Sequence, residues 1–381
     1  MKPRLFVRAL FLATLSLALG RAAHAEAWSF AVSGDSRDCG DLIMPKIARA
    51  IAAEEAPGID LYWHLGDFRR MYDVDCDILK RDHPEADCKT FGLNGLGPLE
   101  MSDYLDLAWK DAIDRQLRPF GKTPVLVGIG NHELMGRSRD DFRRAFQPYL
   151  VQQGLHAQRL KDARHDIYTF EGDTSYHLVR KGVALIYLDN ADEAAFTPAQ
   201  ITWLRKVLDE DAKDDRIKTF VVGMHATLPY SVSRNHGMDA SCQGLCSGQQ
   251  AYDLLYRAQN LAGPTGKQRK VYVVSSHSHR FAANVYETPE HRGQVLPGWI
   301  VGTAGAQQYK ENGAIVYGYV RFDVAEDGTV TPRFREVTRS SPPDAADLGS
   351  ASLSEFCFSL NSGDVWDDAY KGDCTCGSVV K

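Results

Sequence analysis

Five short polar motifs each lie at or near the end of an apolar, strand-like run of this 381-residue chain. In chain order they are Gly34-Asp35, Gly66-Asp67, Gly130-Asn131-His132-Glu133, Gly223-Met224-His225 and His277-Ser278-His279. Ligands bind α/β sheets beyond the carboxyl ends of the strands, so side chains placed there converge on one edge. Carboxylate, amide and imidazole groups together suit two adjacent divalent metals. The motifs therefore predict a fold that gathers distant side chains into one metal cluster.

The arrangement of apolar runs predicts an α/β fold. Strand-like runs alternate with helix-like segments as far as residue 275, and residues 281–338 are mostly strand-like. This order indicates an α/β domain with two packed β-sheets. Residues 69–98 are expected to form an irregular insertion and 227–248 a loop, followed by a helix at about 249–261.

The first 25 residues have the features of a secretory signal peptide. A basic start precedes an apolar stretch at 9–19 and the small-residue cleavage site Ala23-His24-Ala25. An uncleaved anchor helix is the alternative, but the apolar stretch is too short to span a bilayer. No other run is long and apolar enough to cross a membrane. We therefore expect a soluble periplasmic or secreted mature chain.

The cysteines and the net charge limit the class of protein further. All eight cysteines follow residue 25, and an even number in an exported chain indicates disulfide bonds, whose connectivity stays open. Three of them lie in a tail at residues 341–381 that is rich in Ser, Asp and Gly. The net charge of −6 provides no basic footprint for nucleic-acid binding.

Residues of the first four motifs are predicted to bind the two metals. Two adjacent metals that hydrolyse phosphate esters share one ligand, and a carboxylate bridges them well. Asp67 is the candidate bridge, Asp35 a ligand of the first metal, and Asn131 and His225 ligands of the second.

The remaining histidines complete this predicted site. His277 and His279 are two residues apart, so in an extended segment both side chains point to the same face. His132 follows a predicted ligand and is free to donate a proton to the leaving oxygen. Glu133 is placed to orient an imidazole from behind.

The ordered motifs resemble those of the calcineurin-like metallophosphoesterase superfamily over residues 28–325. The family pattern is Asp-x-His, Gly-Asp, Gly-Asn-His-Glu, a His after a strand, and Gly-His-x-His. The resemblance implies two mixed β-sheets flanked by helices, a four-layer αββα sandwich, over a domain at 26–340. It also implies two Mn, Fe or Zn ions, with His132 as the proton donor. The implied ligands are Asp35, Asp67 and His279 for the first metal, and Asp67, Asn131, His225 and His277 for the second.

The chain departs from the family pattern at the first motif, where Arg37 replaces the His. Purple acid phosphatases, a branch of the family, also lack this His but supply a Tyr three residues after the second Asp. That position is Arg70 here, so the iron–tyrosinate site is not supported. Arg37 is either a contact for substrate phosphate, which suits a guanidinium fork, or an ion-pair partner of a nearby Asp.

The resemblance implies an exported hydrolase of phosphate monoesters or diesters that uses a dinuclear centre and a metal-bound hydroxide. Its substrate is a small-molecule or polymer phosphate ester whose identity the sequence does not specify. The alternative is a catalytically weak or inactive protein that binds phosphate or metal on the same scaffold, because Arg37 weakens the first metal site. The oligomeric state stays open.

Overall fold

The computed structural model of the protein describes residues 27–55, 58–82, 101–167, 172–238, 242–308 and 316–337. The predicted signal peptide at 1–25, the tail at 341–381 and the domain end at 340 lie outside these ranges. Residues 83–98 of the predicted insertion also lie outside them. The part of the insertion that is described includes a short helix.

Within the described residues, strands form one sheet of five and one of six. The first sheet has the order β11-β10-β1-β2-β3 and the second the order β4-β5-β6-β7-β9-β8. Each sheet combines parallel and antiparallel pairs, since β1 pairs in parallel with β2 but antiparallel with β10, and β5 in parallel with β6 but antiparallel with β4. The strands are β1 (Trp28–Ser33), β2 (Ile59–His64), β3 (Val125–Val127), β4 (Tyr176–Arg180), β5 (Val183–Leu188), β6 (Thr219–Met224), β7 (Lys270–Ser275), β8 (Phe281–Ala283), β9 (Gly298–Val301), β10 (Gly318–Val324) and β11 (Val330–Glu336).

Helices pack around these sheets. Thr197 caps the helix that starts at Pro198, because its hydroxyl accepts the N–H of Gln200 at 3.2 Å. The helices are α1 (Gly40–Ala53), α2 (Cys76–Asp82), α3 (Met101–Ala112), α4 (Arg139–Ala145), α5 (Gln147–Leu150), α6 (Gln153–Asp162), α7 (Pro198–Asp211) and α8 (Cys242–Ala258). None of the helices in the described ranges is long and apolar enough to cross a membrane.

Strand β5 shows how the layers are stacked. Val183, Leu185 and Tyr187 belong to a core cluster shared with the five-stranded sheet. The alternate residues Ala184 and Ile186 belong to a second cluster, built with α7 and α8. Because successive strand residues point to opposite faces, one face of β5 packs on the other sheet and one on helices. The predicted α/β fold of two mixed sheets flanked by helices is confirmed.

The predicted loop at 227–248 is wrong in its second half, because α8 already begins at Cys242. Leu245, Tyr252 and Leu255 are buried on one side of this helix at helical spacing. Packing against the second core cluster outweighs the low helix propensity of the Gly and Ser residues in its first turns.

Candidate metal centre

Five of the predicted metal ligands lie together at the strand ends. Asp35, Asp67 and His279 form one group, and Asp67, His225 and His277 form another. Within each group, one ligand atom of every residue lies within 4.8 Å of the others. Asp67 belongs to both groups, which is the position of a bridging ligand.

Asn131, the sixth predicted ligand, lies beside the second group. Its Oδ1 is 3.0 Å from Nε2 of His225. Asn131 follows β3 of the five-stranded sheet, whereas His225 follows β6 of the other. The cluster is therefore built from both sheets.

Three of the clustered residues have a left-handed backbone. The φ angles are 58° for Asp35, 62° for Asp67 and 63° for His277. Non-glycine residues rarely adopt this conformation, and such strain concentrates at functional sites. Hydrogen bonds hold the turns in place, since the N–H of Asp35 donates to the carbonyl of Gly66 at 3.0 Å.

Backbone carbonyls set the orientation of two imidazoles. Nδ1 of His225 lies 2.9 Å from the carbonyl oxygen of Leu65, and Nδ1 of His279 lies 2.7 Å from that of Gln307. Because a carbonyl only accepts hydrogen bonds, each Nδ1 carries the hydrogen. In the neutral ring, Nε2 then has the lone pair, and in both residues this atom faces the cluster.

The ring of His277 is turned relative to those of His225 and His279, so that Nδ1 rather than Nε2 faces the cluster. Its Nδ1 faces the cluster, 3.1 Å from Nε2 of His225, and its Nε2 lies 3.4 Å from Oε1 of Glu193. A carboxylate behind a ligand imidazole fixes the ring and raises its basicity. The ring of His236 packs against the ring of His277, with centroids 4.7 Å apart.

Glu133 does not take the role expected from the sequence. Its carboxylate accepts backbone N–H groups of Asp67 at 2.8 Å, Phe68 at 2.9 Å and Gly130 at 2.7 Å. The hydrogen bonds that the structure gives it therefore fix the loops that carry Asp67 and Asn131 rather than an imidazole. Burial, together with the charge of Asp67, raises the pKa of Glu133 to about 7.

Asn190 is a positioning residue that the sequence did not reveal. Its Oδ1 accepts the N–H groups of His225 at 3.0 Å and Ala226 at 3.2 Å, and its Nδ2 donates to the carbonyl of Ala226 at 2.8 Å. The only signal was its place after β5, next to the strand that delivers His225. Glu193, three residues further on, was also missed.

His132 points Nε2 toward the cluster. Its Nδ1 donates to the carbonyl of Arg70 at 2.7 Å, and Nε2 lies 3.7 Å from Oδ2 of Asp67. Burial lowers the pKa of His132 to about 4, with Arg37 adding to this effect and Asp67 opposing it. The imidazole is therefore neutral near pH 7 before substrate binds.

Arg37 lies inside the cluster. Its Nη2 is 2.9 Å from Nε2 of His279, and its Nη1 is 3.5 Å from Nδ1 of His132. Only 9% of Arg37 is exposed. Arg70, by contrast, pairs through Nε with Oδ1 of Asp38 at 2.5 Å.

Comparisons with known proteins support the fold. No family model matches the sequence, and no curated protein matches it. The structure is similar to purple acid phosphatase PPD1 from seeds of yellow lupin (Lupinus luteus), with a TM-score of 0.50 and 13% identity. The chain has the fold of this purple acid phosphatase. The match covers 86% of this chain but only 56% of the lupin chain, and at this identity the likeness concerns the fold alone.

Two further solved structures match this fold more weakly. PhoD has a TM-score of 0.45 and 12% identity, and the match covers 88% of this chain and 77% of that one. GAP50, described as the anchor in the inner membrane complex of Plasmodium, has a TM-score of 0.46 and 12% identity. That match covers 90% of this chain and 97% of GAP50.

The electrostatics of the cluster fit a bound cation. Oδ1 of Asp35 and Oδ2 of Asp67 are buried and have no hydrogen-bond partner among the described residues. Burying an unpaired carboxylate oxygen is costly, and a metal ion supplies the missing partner.

The pKa values of the site reflect the same negative charge. Burial raises the pKa of Asp35 to about 7. Burial also acts to raise the pKa of Asp67, but His132 and His225 outweigh it and hold that pKa well below its usual range. For His225, burial acts to lower the pKa, yet Asp67 and Asp35 outweigh it and raise the value to about 10. The two carboxylates thus favour a positive charge between the sheets.

Proposed function

We propose that the protein is a metal-dependent hydrolase of phosphate monoesters or diesters with a dinuclear centre. The supporting observation is one cluster of carboxylate, amide and imidazole groups in which two buried carboxylate oxygens have no hydrogen-bond partner within the described ranges. Mixed oxygen and nitrogen donors suit Mn, Fe or Zn. The proposed ligands are Asp35, Asp67 and His279 for the first ion, and Asp67, Asn131, His225 and His277 for the second.

Such a pair of ions, when bound, neutralises phosphate charge and lowers the pKa of a water molecule. The protein's own contribution is orientation and proton handling. Since Nδ1 of His132 is held by the carbonyl of Arg70, Nε2 is the atom placed to give a proton to the leaving oxygen. A bound phosphate ester adds negative charge beside this ring, which favours its protonated form. Arg37, next to the ring, is placed to contact the phosphate through its guanidinium fork.

Hydrolysis of a chromogenic phosphomonoester and a chromogenic phosphodiester with Mn²⁺, Zn²⁺ or Fe tests the proposal. We expect turnover of at least one ester, and a loss of at least about 100-fold in kcat/KM in Asp67→Asn and His225→Asn, because both remove a proposed ligand. The matched control is His165→Asn, which changes an exposed His that pairs with Glu210 at 2.7 Å. Absence of turnover in a folded, metal-loaded sample, or wild-type rates in both ligand variants, contradicts the proposal.

A second candidate function is metal or phosphate binding without turnover. The observation that favours it is the contact of Arg37 with Nε2 of His279, because that atom is a proposed ligand of the first ion. Binding of Mn²⁺ and inorganic phosphate without hydrolysis of any tested ester is the result expected for this alternative.

We also propose export to the periplasm or the cell exterior, with cleavage after Ala25. The support is the signal pattern at 1–25 and the absence of a free thiol among the cysteines of the described residues, which agrees with disulfide formation. The N-terminal sequence of the mature protein and a count of reactive thiols before and after reduction test these two points.

A further inference from the structure

The two proposed metal positions differ in their surroundings. The second position is formed by Asp67, Asn131, His225 and His277, which offer carboxylate, amide and imidazole donors. The first position, at Asp35, Asp67 and His279, has a guanidinium in direct contact with one of its donors. This asymmetry predicts that the two positions do not bind ions equally.

Arg37 engages the atom that would bind the first ion. Nδ1 of His279 donates to the carbonyl of Gln307 at 2.7 Å, so the lone pair of the neutral ring is on Nε2. Arg37 Nη2 lies 2.9 Å from this Nε2 and donates to it. Oδ1 of Asp35 lies 3.6 Å from the same nitrogen. An ion bound by Asp35 and His279 therefore requires the guanidinium to leave His279.

The net charge of the centre also disfavours an ion at the first position. Asp35 and Asp67 together carry two negative charges when ionised, and Arg37 carries a permanent positive charge. A single divalent ion already balances the carboxylates, so a second ion enters a centre that is positive overall. All three side chains are buried, so salt screens this repulsion only weakly.

We propose that the guanidinium of Arg37 supplies a fixed positive charge at the first position. The two ions therefore bind one after the other, and phosphate promotes binding of the second ion. The second position fills first and tightly. The first position fills when phosphate, a better acceptor for a guanidinium fork, draws Arg37 away from His279. The inference rests on the proposed function, in which Arg37 contacts the substrate phosphate. Because binding free energies are reciprocal, the first-position ion in turn strengthens phosphate binding.

Calorimetric titration of the metal-stripped full chain with Mn²⁺, with and without inorganic phosphate, tests the proposal. We expect one tight ion and a second that binds about 100-fold more weakly, with phosphate tightening only the weak step by about 10-fold. Arg37→Gln should tighten the weak step by about 10-fold without phosphate and abolish the phosphate effect. Arg37→Lys, which keeps the charge, should leave the step weak.

Two ligand variants assign the steps to positions. His279→Gln should remove the weak step and keep the tight one, whereas His277→Gln should weaken the tight step. Circular dichroism establishes that each variant is folded before titration. Two ions of equal affinity in the wild type, an unchanged weak step in Arg37→Gln, or loss of the tight step in His279→Gln overturns the proposal.

This result is separable from the proposed function. Sequential Mn²⁺ binding without hydrolysis of any ester overturns the function and leaves the role of Arg37 intact. Hydrolysis by a protein that binds two ions with equal affinity overturns the role of Arg37 and leaves the function intact.

Discussion

At the scale of single residues, Gly130 determines how closely the ligands approach one another. A Cβ at this position would lie 2.3 Å from Oδ1 of Asp67 and 2.7 Å from Cε1 of His225. Both neighbours belong to the candidate metal cluster, so neither moves without disturbing it. We expect Gly130→Ala to lower the free energy of unfolding by about 1–3 kcal/mol and to weaken Mn²⁺ binding. Urea unfolding and Mn²⁺ titration measure the two effects.

Gly154→Ala is the matched control for this substitution. A Cβ at Gly154, in α6, would meet only Cδ1 of Leu178 at 3.6 Å, which is an ordinary contact. We expect wild-type Mn²⁺ affinity and a gain of up to about 1 kcal/mol in stability from helix propensity. If Gly130→Ala binds Mn²⁺ as tightly as Gly154→Ala does, the close packing around Asp67 has no role in the site.

The sequence predicted the proposed ligands at the strand ends better than it predicted the residues that hold those ligands in position. Asp67 and His225 follow apolar runs, so periodicity and motif order located both in the cluster. Asn190 binds the backbone N–H of His225, and Glu193 lies beside the imidazole nitrogen of His277 that faces away from the cluster. Neither role has a characteristic spacing, because both depend on how the loops fold in three dimensions. For the same reason, Glu133 was predicted near the site, but with an imidazole as its partner instead of the backbone N–H groups that it binds.

At the scale of secondary structure elements, His177 joins β4 to two helices. Its Nδ1 lies 3.1 Å from Oδ2 of Asp162 in α6, and its Nε2 lies 2.8 Å from Oδ2 of Asp211 in α7. The side chain is 1% exposed. Burial alone acts to lower the pKa of His177, but Asp211 and Asp162 outweigh it and raise the pKa to about 9. The imidazolium thus holds the edge of the six-stranded sheet to its helices.

This contact makes stability depend on pH. A pKa raised from 6.5 in the unfolded chain to about 9 means that the folded protein binds the proton more tightly. The resulting stability is fully present below pH 6.5 and is lost as pH rises through about 9, by up to about 3 kcal/mol. We expect His177→Gln to be less stable at pH 6 and to lose less stability between pH 6.5 and 9.5. Urea unfolding across this range measures the slopes, and equal slopes in variant and wild type contradict the assignment.

Apolar runs located the strands more reliably than the loops and helix ends. Residues 183–188 form β5, which is buried on two faces and therefore continuously apolar. The beginning of α8 was missed, since its first turns contain Gly and Ser residues that favour a loop locally. Gly248 fits there because a Cβ would lie 2.5 Å from Cδ of Pro229, a contact between segments that local sequence does not reveal.

At the scale of the whole molecule, the cluster joins the two sheets. Asp35, Asp67 and Asn131 follow strands of the five-stranded sheet, whereas His225 and His277 follow strands of the six-stranded one. The motif order predicted one cluster, but which strands share a sheet depends on non-local pairing. Because the proposed ions contact both sheets, their binding opposes separation of the layers and contributes to global stability.

Metal binding should therefore raise the melting temperature. An ion that binds only the folded protein adds about 2.7 kcal/mol at a free concentration of 100 times its Kd. We expect calorimetry to show a rise in Tm when Mn²⁺ is added to the chelated wild type. His225→Asn, which lacks a ligand from the six-stranded sheet, should show little rise, and His165→Asn should respond like the wild type. An equal rise in His225→Asn means that Mn²⁺ stabilises the protein from a place other than the second position, since that position depends on His225.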